Sequence, residues 1–249
     1  MNPPPSDVNH DWFRDWFGDE YLELYPHRDS EEAAAAVRLF LRVAYPPPGT
    51  PVLDLACGAG RHLQELRAAG LQAAGLDLSA ALLHRARTRG LTRLVRADMR
   101  ELPFADGAFG GVTSFFTSFG YFTEPEEDEA AVREMRRVLV AGGSFLLDFL
   151  NADRVTENLV PEDVRSIPRG RVRQRRSIRD GVVIKHIRVE PADGSPVREF
   201  VERVRLYEAC QLETLLASCG LRTTDRFGDY GGERFTSEAP RLVLAGRAL

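Results

Sequence analysis

The chain has 249 residues, of which 43% are hydrophobic and 28% are charged, and its formal net charge is -4. This composition is typical of a globular protein and argues against disordered and fibrous classes. No apolar run approaches the roughly 20 residues that cross a bilayer, so we expect a cytoplasmic protein without a membrane segment. The three cysteines lack the spacing of metal ligands, and they predict neither a disulfide framework nor a metal site.

The first part of the chain has a helical pattern. Aromatic residues at turn-like spacing and an alanine-rich run predict helix over residues 11–45. Three consecutive prolines at 46–48, followed by Gly49, must end that helix. We therefore expect residues 1–48 to form an N-terminal helical cap.

The middle of the chain alternates between two patterns. Helix-like segments separate short apolar runs, and a further helix at about 208–218 precedes a last apolar run. Strands that alternate with helices over short loops predict an α/β fold with a doubly wound, mostly parallel sheet. We assign residues 49–153 and 207–249 to this core. The predicted strands are 51–56, 71–78, 91–97, 109–116, 144–150 and 241–246.

A different pattern interrupts the core at residues 154–206. Extended segments at 171–179, 182–190 and 197–206 are separated by Asp-Gly pairs, which predict hairpins and hence a three-stranded antiparallel insertion. The arginines at its start indicate one charged face. We expect the insertion to roof the acceptor pocket as a substrate lid, or to pair two subunits in a homodimer.

A glycine-rich segment follows the first predicted strand. Gly58 and Gly60 let the backbone turn sharply and pass close to a ligand. The G-x-G-x-x-G spacing of a dinucleotide site is absent. Instead, Asp54 lies near the strand end, where its carboxylate suits a ligand with a positively charged amino group.

Carboxylates also follow the next two strands. Asp77 ends the second strand, where an acid can accept hydrogen bonds from both ribose hydroxyls. Asp98 and Met99 follow the third strand, and we expect them to bind an adenine amino group and pack on its ring. The repetition of acids along one sheet edge favours a nucleoside that carries a cation.

The segment Leu53 to His62, LDLACGAGRH, resembles the first motif of the class I S-adenosylmethionine-dependent methyltransferases, with Ala56 in place of the first motif glycine. Residues 75–79, GLDLS, resemble their second motif, and Ala97-Asp98-Met99 resembles their adenine-binding motif. The sequence departs from the family at Gly110, where an aspartate usually follows the phenylalanine. The resemblance covers about residues 49–150 and implies a Rossmann-like domain that binds S-adenosyl-L-methionine.

The residues expected to hold this cofactor are the strand-end acids, the glycine turn, an aromatic residue at the end of the fourth strand and two N-terminal aromatics. The aromatics resemble residues that close over the cofactor in some members of the family. The expected set is Tyr21, Tyr25, Asp54, Ala56, Cys57, Gly58, Gly60, Arg61, Asp77, Leu78, Asp98, Met99 and Phe115.

Catalytic residues stay unassigned at this point, because a sulfonium is already an activated methyl donor and a dedicated base is optional. The aromatic run 115–122 is expected to line the methyl-transfer pocket, and Tyr121 within it is one candidate. His27 is the other, because it lies in the segment expected to cover the cofactor.

The favoured function is methyl transfer to a nitrogen or oxygen nucleophile of a small-molecule acceptor. An RNA methyltransferase that uses the arginine-rich insertion is one alternative. Against RNA, residues 164–190 contain few aromatics on which bases could stack. A non-catalytic regulatory protein that binds S-adenosylmethionine is the other alternative.

Overall fold

The computed structural model describes residues 12–24 and 30–249, so the predictions for Tyr25 and His27 lie outside the described residues. The N-terminal region contains helices α1 (Trp12–Trp16), α2 (Asp19–Leu24) and α3 (Ser30–Val43). The prediction of continuous helix over 11–45 is therefore wrong. The chain turns at Gly18, whose N–H donates to the carbonyl of Trp16 at 2.8 Å.

The remaining helices and the strands follow in chain order. The helices are α4 (Arg61–Ala68), α5 (Ala80–Thr88), α6 (Pro125–Val138), α7 (Ala152–Glu157) and α8 (Ala209–Ser218). The strands are β1 (Val52–Leu55), β2 (Ala73–Asp77), β3 (Leu94–Arg96), β4 (Phe109–Ser114), β5 (Leu139–Leu150), β6 (Glu162–Ile167), β7 (Gly170–Arg179), β8 (Val182–Pro191), β9 (Arg198–Arg205), β10 (Leu221–Phe227) and β11 (Arg241–Ala248).

The main sheet has seven strands in the order β10-β11-β5-β4-β1-β2-β3. Strands β1 to β5 are parallel, while β11 runs antiparallel to both β5 and β10. This arrangement confirms the predicted mostly parallel α/β fold. It also brings the carboxyl ends of β1, β2, β3 and β4 to one edge, where sheets of this kind bind ligands.

Two strands depart from the sequence prediction. Strand β5 begins at Leu139 rather than at residue 144, because the predicted helix end at Gly142 and Gly143 is an irregularity inside the strand, with Gly142 at a φ of 72°. Strand β10 was not predicted, since it is an edge strand in which only Leu221 is fully buried. Its remaining residues lack the apolar pattern of an interior strand.

Gly110 leaves strand β4 intact. A Cβ at this position would lie 1.7 Å from the Oγ1 of Thr50 and 3.2 Å from the Cδ of Pro47. The glycine thus permits the loop before β1 to pack closely on β4. This contact accounts for a glycine where the resembling family usually has an aspartate.

A separate antiparallel sheet has four strands in the order β6-β7-β8-β9, one more than predicted. The additional strand is β6, whose residues alternate between exposed and half-buried and give a weak apolar signal. Asp180 and Gly181 both have positive φ, 50° and 71°, as the hairpin turn between β7 and β8 requires. One face of the sheet is buried, and the arginines at 171 and 175 are exposed on the other.

The hydrophobic core joins the cap to both sheets. One continuous cluster contains Trp12 and Trp16 from α1, Phe149 from β5, and Val172 and Ile187 from the antiparallel sheet. The cap therefore packs between the two sheets. The boundaries of the three predicted domains stay a prediction.

Candidate active site

A cavity of about 420 Å³ lies at the carboxyl ends of β1 to β4. Its walls come from the glycine turn, the ends of β2 and β3, the segment after β4, and the cap. Most residues predicted to hold the cofactor meet here. Those that line the cavity are Tyr21, Ala56, Cys57, Gly58, Arg61, Asp77, Leu78, Asp98, Met99 and Phe115.

The glycine turn has three residues in the left-handed region: Ala56 at a φ of 56°, Gly58 at 55° and Gly60 at 82°. At Gly60 a Cβ would lie 2.2 Å from the Cδ1 of Leu91, so only glycine fits. Gly60 shapes the turn from behind and does not line the cavity. Ala56 holds a conformation that favours glycine, and such strain is typical of functional sites.

Asp77 connects the turn to the end of β2. Its Oδ2 accepts the N–H of Gly58 at 2.7 Å, and its Oδ1 accepts the N–H of Ser79 at 2.8 Å. Burial raises the pKa of this carboxyl, and these backbone hydrogen bonds oppose the rise. Each oxygen keeps a further lone pair for a ligand hydroxyl in the cavity.

Asp98 is held by an arginine. The guanidinium of Arg100 donates to Oδ1 at 3.0 Å and to Oδ2 at 2.7 Å, and Arg14 of the cap lies 3.6 Å from Oδ2. Burial works against ionisation, but the hydrogen bonds with Arg100 hold the pKa of this carboxyl below its ordinary value. Asp98 is therefore a fixed anion beside Met99 at the end of β3.

Asp54 does not reach the cavity. It is 1% exposed within β1, Thr113 donates to its Oδ1 at 3.4 Å, and its Oδ2 has no hydrogen-bond partner among the described residues. Burial raises its pKa to about 8. A direct contact between Asp54 and the amino group of a ligand stays a prediction.

The segment after β4 supplies an aromatic wall. Phe115 stacks on the buried His62, with ring centroids 4.3 Å apart, and both line the cavity. His62 follows directly after the glycine turn, in the first turn of α4. The position of His62 directly after Arg61 in the glycine-rich motif could have indicated a residue of the site. The sequence analysis named His27 as the candidate histidine instead. Cys57 lies beside this wall, and burial raises the pKa of its thiol.

Phe116 is held by a group of residues that the sequence analysis did not connect with it. We call this group the Phe116 buttress, and it consists of Arg61, Asp148, Tyr230 and Arg241. The guanidinium carbons of Arg61 and Arg241 lie 4.4 Å and 4.6 Å from the centroid of the ring of Phe116. Its N–H donates to the buried carboxylate of Asp148, which also accepts hydrogen bonds from Arg241 and from Tyr230. These groups come from separate elements and converge behind one wall of the cavity.

The cap supplies the opposite wall through Phe13, Phe17 and Tyr21. Phe17 stacks on Tyr121 at 5.6 Å and meets Tyr21 edge-on at 4.8 Å. Tyr121, one of the two catalytic candidates, therefore lies in the cavity within an aromatic cluster.

The antiparallel sheet does not roof the cavity directly, because none of its described residues lines it. The cap lies between them. Trp16 of α1 packs on Phe200 of β9 at 4.7 Å and donates through Nε1 to Glu202 at 2.6 Å. The sheet thus backs the cap, and its expected role as a substrate lid or a dimer contact stays a prediction.

Within residues 12–24 and 30–249 no group of three or more His, Cys, Asp and Glu side chains is arranged to hold a metal ion. No helix in the same ranges is long and apolar enough to cross a membrane.

Comparisons with known proteins agree with this geometry. A family model described as "Methyltransferase domain" matches residues 52–143, which include the glycine turn and the strand ends. The dTDP-3-amino-3,4,6-trideoxy-alpha-D-glucopyranose N,N-dimethyltransferase of Streptomyces venezuelae is 31% identical over 212 residues, covering 82% of this chain and 89% of that enzyme. A probable tRNA methyltransferase 9B of Bos taurus is 27% identical over 146 residues, and the match covers 59% of this chain and only 31% of that protein.

A solved structure is similar over almost the whole fold. The crystal structure of Streptomyces venezuelae DesVI superposes with a TM-score of 0.68 at 27% identity, covering 93% of this chain and 98% of that one. These similarities include the segments that carry the motifs around the cavity. The chain belongs to the class I S-adenosylmethionine-dependent methyltransferases.

Proposed function

We propose that this methyltransferase acts on a nitrogen of a small-molecule amine, of the amino-sugar kind. The observation that carries the proposal is that one cavity joins the residues predicted for the cofactor to an aromatic wall from the cap. The similarity to the Streptomyces venezuelae amino-sugar N,N-dimethyltransferase, which extends over most of both chains, supports an amine as the acceptor.

The residues of the cavity fit S-adenosylmethionine. In this proposal Asp77 accepts both ribose hydroxyls through the lone pairs that Gly58 and Ser79 leave open. Asp98 and Met99 contact the adenine. Arg61, at the start of α4, supplies a cation for the carboxylate of the methionine part.

The bound cofactor supplies an electrophilic methyl group on a sulfonium. The protein must hold the acceptor nitrogen in line with that methyl group and keep water out. Phe115, Phe17 and Tyr121 form apolar surfaces suited to both tasks. Held by Asp77, Asp98 and Arg61, the cofactor would give its methyl group to the lone pair of the acceptor nitrogen and would leave as a neutral thioether, and the nitrogen would release its proton to bulk solvent. The hydroxyl of Tyr121 is the candidate group in the cavity to orient the amine.

Aromatic rings also suit an amine for electrostatic reasons. The face of a ring attracts a cation, and each such contact contributes about 0.5–2 kcal/mol. Phe17 and Tyr121 are two rings of the cavity that are stacked on each other. The protonated product, a tertiary ammonium, is attracted to these rings in the same way as the protonated substrate.

RNA is the less favoured acceptor. The arginines at 171, 173 and 175 are on the face of the antiparallel sheet that points away from the cap, and none lines the cavity. Arg173 also forms an ion pair with Glu162 at 2.8 Å. RNA bound to the basic surface on this face would therefore lie on the side of the sheet away from the cap and the cavity.

The test compares acceptors with one assay. Purified protein is incubated with S-adenosylmethionine and nucleotide-linked amino sugars, the matched sugars with hydroxyl in place of amine, or transfer RNA, and release of S-adenosylhomocysteine is measured. We expect turnover with amines only. Turnover with transfer RNA alone would contradict the proposal, and cofactor binding without turnover on any acceptor would favour a regulatory role.

The cytoplasmic location and the homodimer are further proposals. The exposed side chains of Val160 and Val164, at 57% and 47%, lie at the free edge of the antiparallel sheet and suit a subunit contact. Light scattering of the purified protein measures the mass, and a monomer at all concentrations would contradict the homodimer.

A further inference from the structure

A carboxylate of α3 joins the two arginines of the Phe116 buttress. Glu32, in the first turn of α3, accepts a hydrogen bond from Arg61 through Oε2 at 3.0 Å and one from Arg241 through Oε1 at 3.0 Å. Arg61 lines the cofactor cavity, whereas Glu32 and Arg241 do not. Glu32 therefore lies behind a residue of the cavity rather than in its wall.

Arg61 occupies a position where a cation needs compensation. It is the first residue of α4, and the amino end of a helix carries a partial positive charge. The first turn of α4 contains no acid of its own. Glu32 supplies a negative charge from α3, and the side chain of Arg61 is only 16% exposed. The ion pair thus offsets the unfavourable position of the arginine in its own helix.

Further contacts fix the direction of the Arg61 side chain. Its guanidinium carbon lies 4.4 Å from the centroid of the Phe116 ring, on which Arg241 also packs. Arg241 in turn donates to the buried Asp148 of β5. A long side chain loses conformational entropy when it binds a ligand, and this loss is smaller when its neighbours already hold it in place. Glu32 therefore orients the guanidinium before a ligand binds.

A carboxylate beside Arg61 also raises the question of competition with an anionic ligand. A guanidinium has five N–H donors in a planar fork, so it can serve two carboxylates at once. The charge of Glu32 is shared with Arg241, because each of its oxygens faces a different guanidinium. This second ion pair reduces the repulsion between Glu32 and a ligand carboxylate. The orienting effect of Glu32 on Arg61 is therefore the larger one.

We propose that Glu32 is a positioning residue, which holds Arg61 toward the carboxylate of the methionine part of S-adenosylmethionine. The inference rests on the proposed contact between Arg61 and that carboxylate. Arg241 supports the arrangement from the other side of Glu32. The cofactor site then depends on α3 and β11, two elements that are distant from the glycine turn in the chain.

Two ligands separate this role from a general effect on the fold. S-adenosylhomocysteine carries the amino-acid group, while methylthioadenosine has the same adenosine and a thioether but lacks that group. Calorimetry measures the affinity for each. We expect Glu32→Ala to weaken binding of S-adenosylhomocysteine by roughly three- to tenfold and to leave binding of methylthioadenosine within about twofold of the wild type. Glu31→Ala, at the exposed neighbouring acid in the same helical turn, is the matched control and should keep both affinities.

Substitution of Arg61 tests whether the effect passes through this residue. Arg61→Met keeps an unbranched side chain without the charge, and it should weaken binding of S-adenosylhomocysteine selectively by about tenfold or more. In the double variant, Glu32→Ala should add little to the loss caused by Arg61→Met, because residues of one network are not additive. Additive losses would show that Glu32 acts independently of Arg61, and would overturn the proposal.

The other outcomes are equally distinct. Unchanged affinity of folded Glu32→Ala for S-adenosylhomocysteine would overturn the proposal. Tighter binding would show competition for Arg61, and an equal loss of both ligands would show a purely structural role, so either result would also overturn it. If Glu32→Ala does not fold, Glu32→Gln, which keeps the shape but loses the charge, takes its place with the same expectations.

Failure of this proposal can be told apart from failure of the proposed function. Unchanged affinity for S-adenosylhomocysteine in Arg61→Met would overturn the cofactor contact of Arg61 together with the role of Glu32. A loss in Arg61→Met without a loss in Glu32→Ala would overturn the role of Glu32 alone. None of these measurements needs an acceptor, so their results do not depend on whether amines are the substrates.

Discussion

The carboxylate of Asp148 accepts a hydrogen bond at 2.5 Å from the N–H of Phe116, a residue with a φ of 63°. Left-handed conformations cost about 1–3 kcal/mol for residues other than glycine and persist only where the surroundings impose them. Here the imposing group is the buried carboxyl of Asp148, whose pKa is raised by burial while Arg241 opposes the rise. Its position fixes a ring in the wall of the cavity.

The first prediction tests this buttress. Tyr230→Phe removes one hydrogen bond to Asp148 without a change in shape, and we expect the free energy of unfolding to fall by about 1 kcal/mol. Asp148→Ala removes one of the two carboxylates that pair with Arg241, the other being Glu32, and should cost about 1.5–3 kcal/mol. Urea unfolding measures both values. Tyr45→Phe, at a 54% exposed tyrosine, is the matched control. Equal losses in Tyr230→Phe and Tyr45→Phe would refute the role of Asp148.

The second prediction concerns Asp77. Asp77→Ala should weaken binding of S-adenosylhomocysteine at least tenfold, because hydrogen bonds to a charged group contribute about 1.5–3 kcal/mol. The substitution also frees the N–H groups of Gly58 and Ser79. Calorimetry gives the affinity, and thermal unfolding confirms that the variant is folded. The exposed Asp153→Ala is the control, and an unchanged affinity in folded Asp77→Ala would remove Asp77 from the site.

The third prediction concerns adenine recognition. Asp98→Asn replaces an acceptor-only group with an amide and breaks the paired hydrogen bonds with Arg100, so we expect about tenfold weaker cofactor binding. Arg100→Lys keeps the carboxylate and should have a smaller effect. Cofactor affinity equal to that of the parent in Asp98→Asn would contradict the adenine role.

The fourth prediction is a pH dependence of stability. The folded protein raises the pKa of Asp54 from its ordinary 3.8 to about 8 through burial. The folded state therefore holds this proton more tightly than the unfolded state, and the resulting stabilisation is full below 3.8 and lost as pH rises to about 8.

Asp54→Asn tests that dependence. The amide stays neutral, so its midpoint of thermal unfolding should fall less than that of the wild type as pH rises from about 6 to 8. Asp153→Asn, at the surface, should follow the wild type. Parallel curves for wild type and Asp54→Asn would contradict the raised pKa. Cofactor affinity of the same variant tests the predicted ligand contact of Asp54 separately.

The sequence predicted those features that local pattern determines. The glycine turn, the strands before it and after it, and the acids at Asp77 and Asp98 are contiguous signals, and the structure brings most of them to one cavity. The Phe116 buttress could not be predicted from local patterns, because Arg61, Asp148 and Arg241 are distant in the chain. Only the pairing of β11 with β5 brings the last two together.

The position of the insertion relative to the rest of the protein could not be predicted from local sequence patterns either. The arginines at the start of the insertion indicated one charged face, and the opposite face is buried at Val172 and Ile187. This pattern did not indicate which surface covers that face. Contacts between residues distant in the chain decide this, such as the hydrogen bond from Trp16 of α1 to Glu202 of β9.

The place of β11 in the main sheet has a consequence for biosynthesis. Strand β11 lies between β10 and β5, so the apolar β5 stays at a sheet edge until residues 241–248 have left the ribosome. An unpaired apolar edge invites association with other chains. Asp148 lacks its arginine partner over the same interval. A nascent chain that stops before residue 241 therefore exposes both the unpaired edge of β5 and a carboxylate that lacks its arginine partner. We expect such a chain to depend more on chaperones than the longer chain does.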